Sequence, residues 1–219
     1  MSYRLDSDIF VPYSRLKSSP KPRDQTMVNH IAKTKNGTAV WVVSNCGARY
    51  KRMEYVREMQ KYIDIDIYGK CGTPCAWKNT TCNDWTTKYK FYLAFENSLC
   101  TDYVTEKFFR LFNRTIFVIP VVRGGADYDK HFPDFTYINS AHFKTAKDLA
   151  LHLKHLASDL ENYSKYLEYK DLYTLLADDG IADKMACQIC NYLHTHQLPK
   201  PSQTYNITKY FVDGQCHIP

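Results

Sequence analysis

From residue 39 onward the hydrophobic pattern switches between two periods. "AVWVVS" (39–44) is an unbroken apolar run that ends in polar Ser44-Asn45, as expected of a strand buried on both faces. Residues 49–62 place Met53, Val56, Met59 and Tyr62 near helical spacing. "IDIDIYG" (63–69) alternates strictly and ends in glycine, which predicts a second strand. Residues 70–88 carry three cysteines and no period, and are expected to be a loop. "KFYLAFE" (90–96) predicts a third strand, followed by a helix over 103–112 with Thr101 or Asp102 as its N-cap. "TIFVIPVV" (115–122) predicts a fourth strand, turned by Gly124-Gly125, and "FTYIN" (135–139) a short fifth. Leu149, Leu153 and Leu156 share one face of a helix over 146–157, and helices around 160–169 and 181–195 follow.

Strands that alternate with helices of this length predict an α/β fold, a Rossmann-like parallel sheet with helices on both faces. Residues 1–38 are rich in Pro, Ser and Lys and have no clear period. They read as a linker, with one short helix near Asp24–Lys33. The domain proper then spans 39–196, and 197–219 form a C-terminal tail. No internal repeat is visible.

Composition narrows the function. The 219 residues are 44% hydrophobic, enough for a sizeable core, and the net charge is +6. The basic residues form no dense run or stripe, which argues against a nucleic-acid surface and fits a site for an anionic ligand. Eight cysteines and five Asn-X-Ser/Thr sequons (Asn36, Asn79, Asn113, Asn162 and Asn206) point to the secretory lumen and to disulfides. Cys71, Cys75, Cys82 and Cys100 flank a loop poor in apolar residues and are expected to be oxidised. Yet the sequence shows neither a signal peptide nor a stretch long enough to span a bilayer. The expectation is therefore a piece of a longer protein.

The candidate chemistry gathers around "FYLAFENSLCTDYVTEKFF" (91–109). In a doubly wound sheet, ligands bind beyond the carboxyl ends of the strands. Glu96 and Asn97 end one strand, and Ser44, Asn45 and the Arg49–Arg52 segment follow another. The helix after Asp102 should point its N-terminus at the same edge, where free N–H groups suit a phosphate. With Lys107 and Arg52 nearby, the set reads as a diphosphate clamp. Carboxylates beside such a clamp suit the hydroxyls of a sugar, so the pattern fits a sugar nucleotide.

These residues also resemble the α1,3-fucosyltransferases, whose signature is FxFEN…DYxTEK. "VVSNCGARYKRMEYVREM" is similar to the family's SN…R…Y block, and "MSYRLDSDIFVPY" to the segment that joins its two domains. "IPVVRGGADYDKHFPDFTYINSAHFKTAKDLALHLKHL" is similar to its VPVVxG…F…DLAxYLxxL stretch. The cysteine pattern looks most like the invertebrate type that modifies the N-glycan core. The resemblance implies the C-terminal, GDP-fucose-binding half of a two-domain GT-B enzyme. Such an enzyme transfers L-fucose, with inversion, from GDP-fucose to the 3-hydroxyl of a GlcNAc in a glycoprotein N-glycan. Carried over by motif, Arg52 and Lys107 would hold the diphosphate, with Arg49 as a second candidate one turn away. Asn97 and Tyr103 would line the donor site, and Glu106 would bind the donor and steady positive charge developing on the fucose. Glu96 would pack behind the strand end or bind hydroxyls. The family's general base lies in the domain absent from this sequence, so this chain alone is expected to be inactive. No cofactor and no Mn²⁺ are implied, GDP-fucose being a substrate. The full-length relatives implied are single-pass membrane proteins of the Golgi, with the catalytic part in the lumen.

Other patterns carry less. Asp6-Ser-Asp8 and Asp64-Ile-Asp66 both read D-x-D, but the second lies on the polar face of a strand and the first in the linker; no metal is expected. Cys187-x2-Cys190 lies on one face of a predicted helix and is expected to form a local disulfide rather than a zinc or redox site. Two alternatives to the enzyme are a non-catalytic GDP-sugar-binding module and a disulfide-rich secreted interaction domain without a nucleotide site.

Overall fold

In the computed structural model the five apolar runs pair into one wholly parallel sheet. Residues 1–19, 21, 23–48, 50–74, 85–176, 179–195 and 206–216 are described. The sheet strands are β2 (Gly37–Val42), β3 (Ile65–Tyr68), β4 (Tyr89–Phe95), β5 (Ile119–Arg123) and β6 (Ile138–Asn139), in the order β3–β2–β4–β5–β6. A short β1 (Leu16–Ser18) lies apart and pairs antiparallel with β7 (Tyr173–Leu175). Residues read as a linker are thus hydrogen-bonded to the end of the domain. The main helices are α1 (Gln25–Thr34), α2 (Arg52–Met59), α6 (Ala146–Ser158), α7 (Leu160–Asp171) and α8 (Asp179–Thr195). Single-turn helices α3 (Trp85–Lys88), α4 (Glu106–Phe109) and α5 (Tyr128–His131), and the terminal α9 (Ile207–Phe211), complete the order.

Side-chain alternation along β4 sorts the core into two layers. Phe91, Leu93 and Phe95 pack on one face with Val56 and Met59 of α2, Leu149 and Leu153 of α6, and Tyr163 and Leu167 of α7. Tyr92 and Ala94 point to the other face, against Phe108, Phe109, Leu111, Phe112, Tyr128 and Tyr137. That second layer is rich in aromatic rings; Phe108 alone makes ring contacts with Phe109, Phe112, Tyr128, Phe132 and Tyr137. Burial on both faces is why β2, β4 and β5 carry continuous apolar runs. The helix expected near Asp24–Lys33 is α1, with Asp24 accepting from the Thr26 N–H as its cap. Thr145 and Asp148 form a full capping box at the start of α6.

Among the described residues two lysines are buried. Lys35 Nζ donates to the carbonyls of Thr86 (2.9 Å), Thr87 (3.1 Å) and Tyr89 (3.0 Å), closing the turn into β4. Lys170 Nζ donates to the Ile116 carbonyl at 2.8 Å, ahead of β5. Burial lowers the pKa of each to about 7.

Among the described residues two disulfides staple loops: Cys46–Cys71 joins the segments after β2 and β3, and Cys100–Cys216 joins the segment after β4 to the C-terminal end. Cys75 and Cys82 lie outside the described residues. Cys187 and Cys190 are free and exposed on α8, not bridged as expected. Residues three apart on a helix keep their Cβ atoms about 5–6 Å apart, whereas a disulfide needs about 3.8 Å. The helix would have to distort to close the bond.

Two outcomes are expected. Lys35→Met leaves three carbonyls without their donor and destabilises the fold by about 3 kcal/mol, whereas Lys170→Met removes a buried charge with one acceptor and costs less. Both ammoniums titrate near 7 in the fold and near about 10.4 unfolded. The unfolded chain therefore binds more protons between those values, and wild-type stability rises as pH goes from 7 to 9. Urea melts of the two variants, and of wild type across that pH range, check this. Separately, peptide mapping after alkylation without reduction recovers Cys46–Cys71 and Cys100–Cys216 as linked pairs, with Cys187 and Cys190 alkylated. Recovery of Cys46 or Cys100 as an alkylated thiol contradicts the pairing.

Candidate functional site

β2 and β4 are neighbours in the sheet, but the chain leaves them in opposite directions, towards β3 from one and towards β5 from the other. The crevice above their carboxyl ends is the topological switch point, where open α/β sheets bind ligands. The loops after β2 and β4 meet there, and Cys46–Cys71 and Cys100–Cys216 each tie one of them down.

Arg52 opens α2 beneath this crevice. Its Nη1 donates to the Phe95 carbonyl (2.8 Å) at the end of β4, and its Nη2 to the Asn45 carbonyl (2.9 Å) in the loop after β2. The guanidinium therefore bridges the two strand ends. It lies over the Trp41 ring, is 3% exposed, and has a pKa lowered by burial although Glu96 and Tyr103 oppose the shift. Its Nε is buried without a partner among the described residues. Lys51, just before it, has φ 48°, a left-handed conformation that costs a non-glycine residue roughly 1 kcal/mol or more.

Glu96 continues the β4 direction into the protein rather than into the crevice. Its N–H donates to the Arg123 carbonyl, so the β4–β5 pairing runs one residue past the strand. Its carboxylate is fully buried and accepts from the Thr105 N–H (2.8 Å) and the Thr105 hydroxyl (2.8 Å to Oε2). Lys107 Nζ lies 3.2 Å from the same carboxylate and donates to Thr105 Oγ1 at 2.7 Å. Burial raises the Glu96 pKa, against the opposing charge of Lys107 and the donors of Thr105. Of the two readings the sequence left open for Glu96, packing behind the strand end is the one observed.

The helix after β4 starts later than expected. α4 begins at Glu106 and Thr105 is its N-cap, not Thr101 or Asp102. Thr101 is turned away, its N–H and hydroxyl both bonded to the Gln215 carbonyl beside the Cys100–Cys216 bridge. Asp102 has φ 60° and accepts from the Leu5 N–H. α4 is a single turn that tightens into a 3₁₀ turn over Arg110–Phe112. So short a helix has little macrodipole, and Glu96 already occupies the N–H of its capping residue. The expected helix N-terminus is thus reduced to a single turn capped by Thr105, with the Lys107 ammonium beside it.

Four of the other expected residues share the edge with Arg52. Lys107 is 22% exposed and also pairs with Glu106, which is 63% exposed. Tyr103 is half-buried, stacks edge-on against Tyr3 (5.3 Å) and Tyr13 (6.2 Å), and has a pKa raised by burial and by the nearby Tyr13, Glu96 and Glu106. Asn97 is half-buried in the loop between Glu96 and Leu99. Arg49 lies outside the described residues. Arg123, which sequence reasoning did not single out, ends β5 beside Glu96; it lies over the Tyr55 ring at 4.6 Å and donates to the Tyr50 carbonyl. Its only signal in the sequence was a cation closing an apolar run before Gly124-Gly125. Gly125 is required: a Cβ there would fall 2.4 Å from the Leu99 backbone, so the loops after β4 and β5 touch. A cavity of about 540 Å³ lies alongside, lined by Phe10, Pro12, Val104, Phe109, Phe132 and Tyr173 among others, but none of the site residues above lines it.

The D-x-D pairs are occupied elsewhere. Asp6 holds the Arg4 guanidinium through both oxygens, and Asp66 accepts from Tyr89 and Lys88. Among the described residues no group of three or more His, Cys, Asp or Glu is placed to hold a metal ion. Nor is any helix long and apolar enough to cross a membrane among the described residues.

Residues 32–210 match the C-terminal model of glycosyltransferase family 10, the fucosyltransferases. The chain belongs to glycosyltransferase family 10. Over its whole length this family 10 chain is 34% identical to alpha-(1,3)-fucosyltransferase C of Drosophila melanogaster, covering 54% of that protein. It is 39% identical to glycoprotein 3-alpha-L-fucosyltransferase A of the same fly, over 91% of this chain and 40% of the relative. The family 10 chain thus spans about half the length of these relatives. The crystal structure of an alpha1,3-fucosyltransferase with GDP-fucose shares its fold, with a TM-score of 0.61 at 21% identity, over 75% of this chain and 49% of that one.

The Glu96–Thr105–Lys107 group of this family 10 chain supports a coupling test. Lys107→Met leaves a buried carboxylate without its cation and is expected to destabilise by about 2–3 kcal/mol. Glu96→Gln combined with Lys107→Met removes both charges and recovers most of that loss. Denaturant melts of the two singles and the double measure the coupling; strict additivity contradicts the pairing.

Proposed function

We propose that this chain is the donor-binding half of an α1,3-fucosyltransferase. It holds GDP-fucose at the β2–β4 switch point and, with the remaining half of a longer protein, transfers L-fucose to the 3-hydroxyl of a GlcNAc in a glycoprotein N-glycan, with inversion. One observation carries this reading: in a family 10 chain, Arg52, Tyr103, Glu106 and Lys107 gather at the sheet edge where this fold class takes its ligands. Lys107, partly exposed, faces the diphosphate. Arg52 supports it from below; two of its five donors are taken by carbonyls and its Nε has no partner. Asn97 and Tyr103 line the donor, and Glu106, the exposed carboxylate of the group, steadies charge developing on the fucose ring. Arg49 is a second candidate for the phosphates. Glu96 serves as their support and not as a base, because its side chain is fully buried and bonded. The acceptor's proton goes to a carboxylate of the other half, and the donor alone binds here. Two disulfides and five sequons support a place in the secretory lumen, with the full-length protein anchored in the Golgi membrane.

Calorimetry with GDP and GMP tests the proposal. The 219-residue chain binds GDP, and Lys107→Ala, shown folded by its melt, loses about 1.5–3 kcal/mol of that binding, the size of a charge-assisted contact, which is roughly 10–100-fold in affinity. GMP binding, lacking the second phosphate, changes far less. Equal losses for both ligands refute the diphosphate role of Lys107, and no GDP binding by folded protein refutes the donor site. On this reading base and acceptor positioning belong to the other half, so the same chain is expected to turn over no fucose on an N-glycan acceptor.

A further inference from the structure

Five sequons occur, and the fold treats the four described ones differently. Asn36 is exposed, but its Gly37 and Thr38 lie inside β2, with Gly37 paired to Tyr89. Asn162 lies in the first turn of α7, and its Ser164 is 3% exposed with the hydroxyl buried. Asn206 uses its Oδ1 to cap α9 through the Lys209 N–H. The Asn79 sequon lies outside the described residues.

Asn113-Arg114-Thr115 differs from these three. All three residues are exposed, in the loop between the 3₁₀ turn and β5. Asn113 Oδ1 accepts from both the Thr115 N–H (3.0 Å) and the Thr115 hydroxyl (2.9 Å). The hydroxyl bond polarises the side-chain amide and makes its N–H more acidic, and the paired bonds fix the side chain in one orientation. Asn113 Nδ2 has no hydrogen-bond partner among the described residues. The loop itself is held: the Arg114 guanidinium donates to the Lys21 carbonyl (2.6 Å), and Arg23 donates to the Arg114 carbonyl. The chain therefore presents this tripeptide to solvent in a set conformation, with its hydroxyl already on its amide.

We infer that Asn113 is a glycosylation acceptor of this protein, and that Asn162 is not. The inference rests on the luminal reading above. In the transfer, Asn113 Nδ2 attacks the anomeric carbon of an oligosaccharide carried on a lipid diphosphate. The C–N bond forms as the C–O bond to the diphosphate breaks. The diphosphate leaves with that electron pair, and Nδ2 gives up one proton to a base of the transferring enzyme. A glycan here sits beyond the 3₁₀ turn, ahead of β5, whereas the donor residues lie at β5's carboxyl side; it leaves the donor edge open.

The test is glycopeptide mass spectrometry on the 219-residue chain secreted from insect cells behind an added leader. Asn113 carries a glycan and Asn162 does not. Thr115→Ala loses the glycan at Asn113 while keeping the asparagine and the wild-type melt, and Asn113→Gln loses the same glycan, which confirms its position. Secreted, disulfide-bonded protein with Asn113 unmodified overturns the inference, as does occupancy at Asn162. Because the added leader forces entry into the lumen, those failures are failures of the Asn113 assignment. The luminal reading stands or falls separately, on imaging the native protein without that leader.

Discussion

A buried carboxylate organises the edge that carries the site. Glu96 follows directly from β4, so the strand's own direction drives its side chain into the aromatic layer, where an ionised group is costly unless it is paired. Pairing is provided by three donors, the Thr105 N–H, the Thr105 hydroxyl and the Lys107 ammonium. Those donors come from the far end of the loop over 97–104. The requirement to satisfy Glu96 therefore sets where that loop must return, and hence where Tyr103, Glu106 and Lys107 stand.

The same requirement explains why α4 is short and starts late. Thr105 must face Glu96, which leaves Asp102 and Tyr103 to make the turn, and Asp102 does so in a left-handed conformation. Lys51 adopts the same conformation before Arg52 on the facing loop. Two strained non-glycine residues flank the two loops of the switch point, and both loops are cross-linked at Cys46–Cys71 and Cys100–Cys216. Strain of this kind persists only where surrounding structure over-determines it. Here the disulfides, the Arg52 bridge between the Asn45 and Phe95 carbonyls, and the Gly125 contact with Leu99 supply that restraint.

The cations at the two edges of the sheet divide into two kinds. Lys35 and Lys170 face backbone carbonyls at the turns leading into β4 and β5, and act as fasteners of the sheet's amino edge. Arg52 does the same work at the carboxyl edge but keeps an Nε–H that no described residue takes. Lys107, held between two carboxylates and only partly covered, is the cation whose charge still reaches the crevice. One edge of the sheet is closed by its lysines, and the other is left open for a ligand.

The periods of the hydrophobic pattern determined the fold class, because residues buried on both faces of a parallel sheet must be apolar in succession and those on covering helices must recur every three to four positions. All five sheet strands and the helices α2, α6, α7 and α8 lie close to where those periods put them, and α1 lies where a short helix was expected in a segment without a clear period. The motif around 91–109 likewise brought Asn97, Tyr103, Glu106 and Lys107 to notice, since charges beside two apolar segments stand out locally. What only the tertiary structure decided were the partners: that Thr105 and not Asp102 caps α4, that Arg52 bridges two strand ends, that Arg123 joins the edge, that Leu16–Ser18 pairs with the segment after α7, and that Cys100 bonds Cys216. Each joins residues distant in sequence or depends on a backbone turn that no local period records. Local pattern reports which face of an element is buried; it holds no information about which other element covers that face.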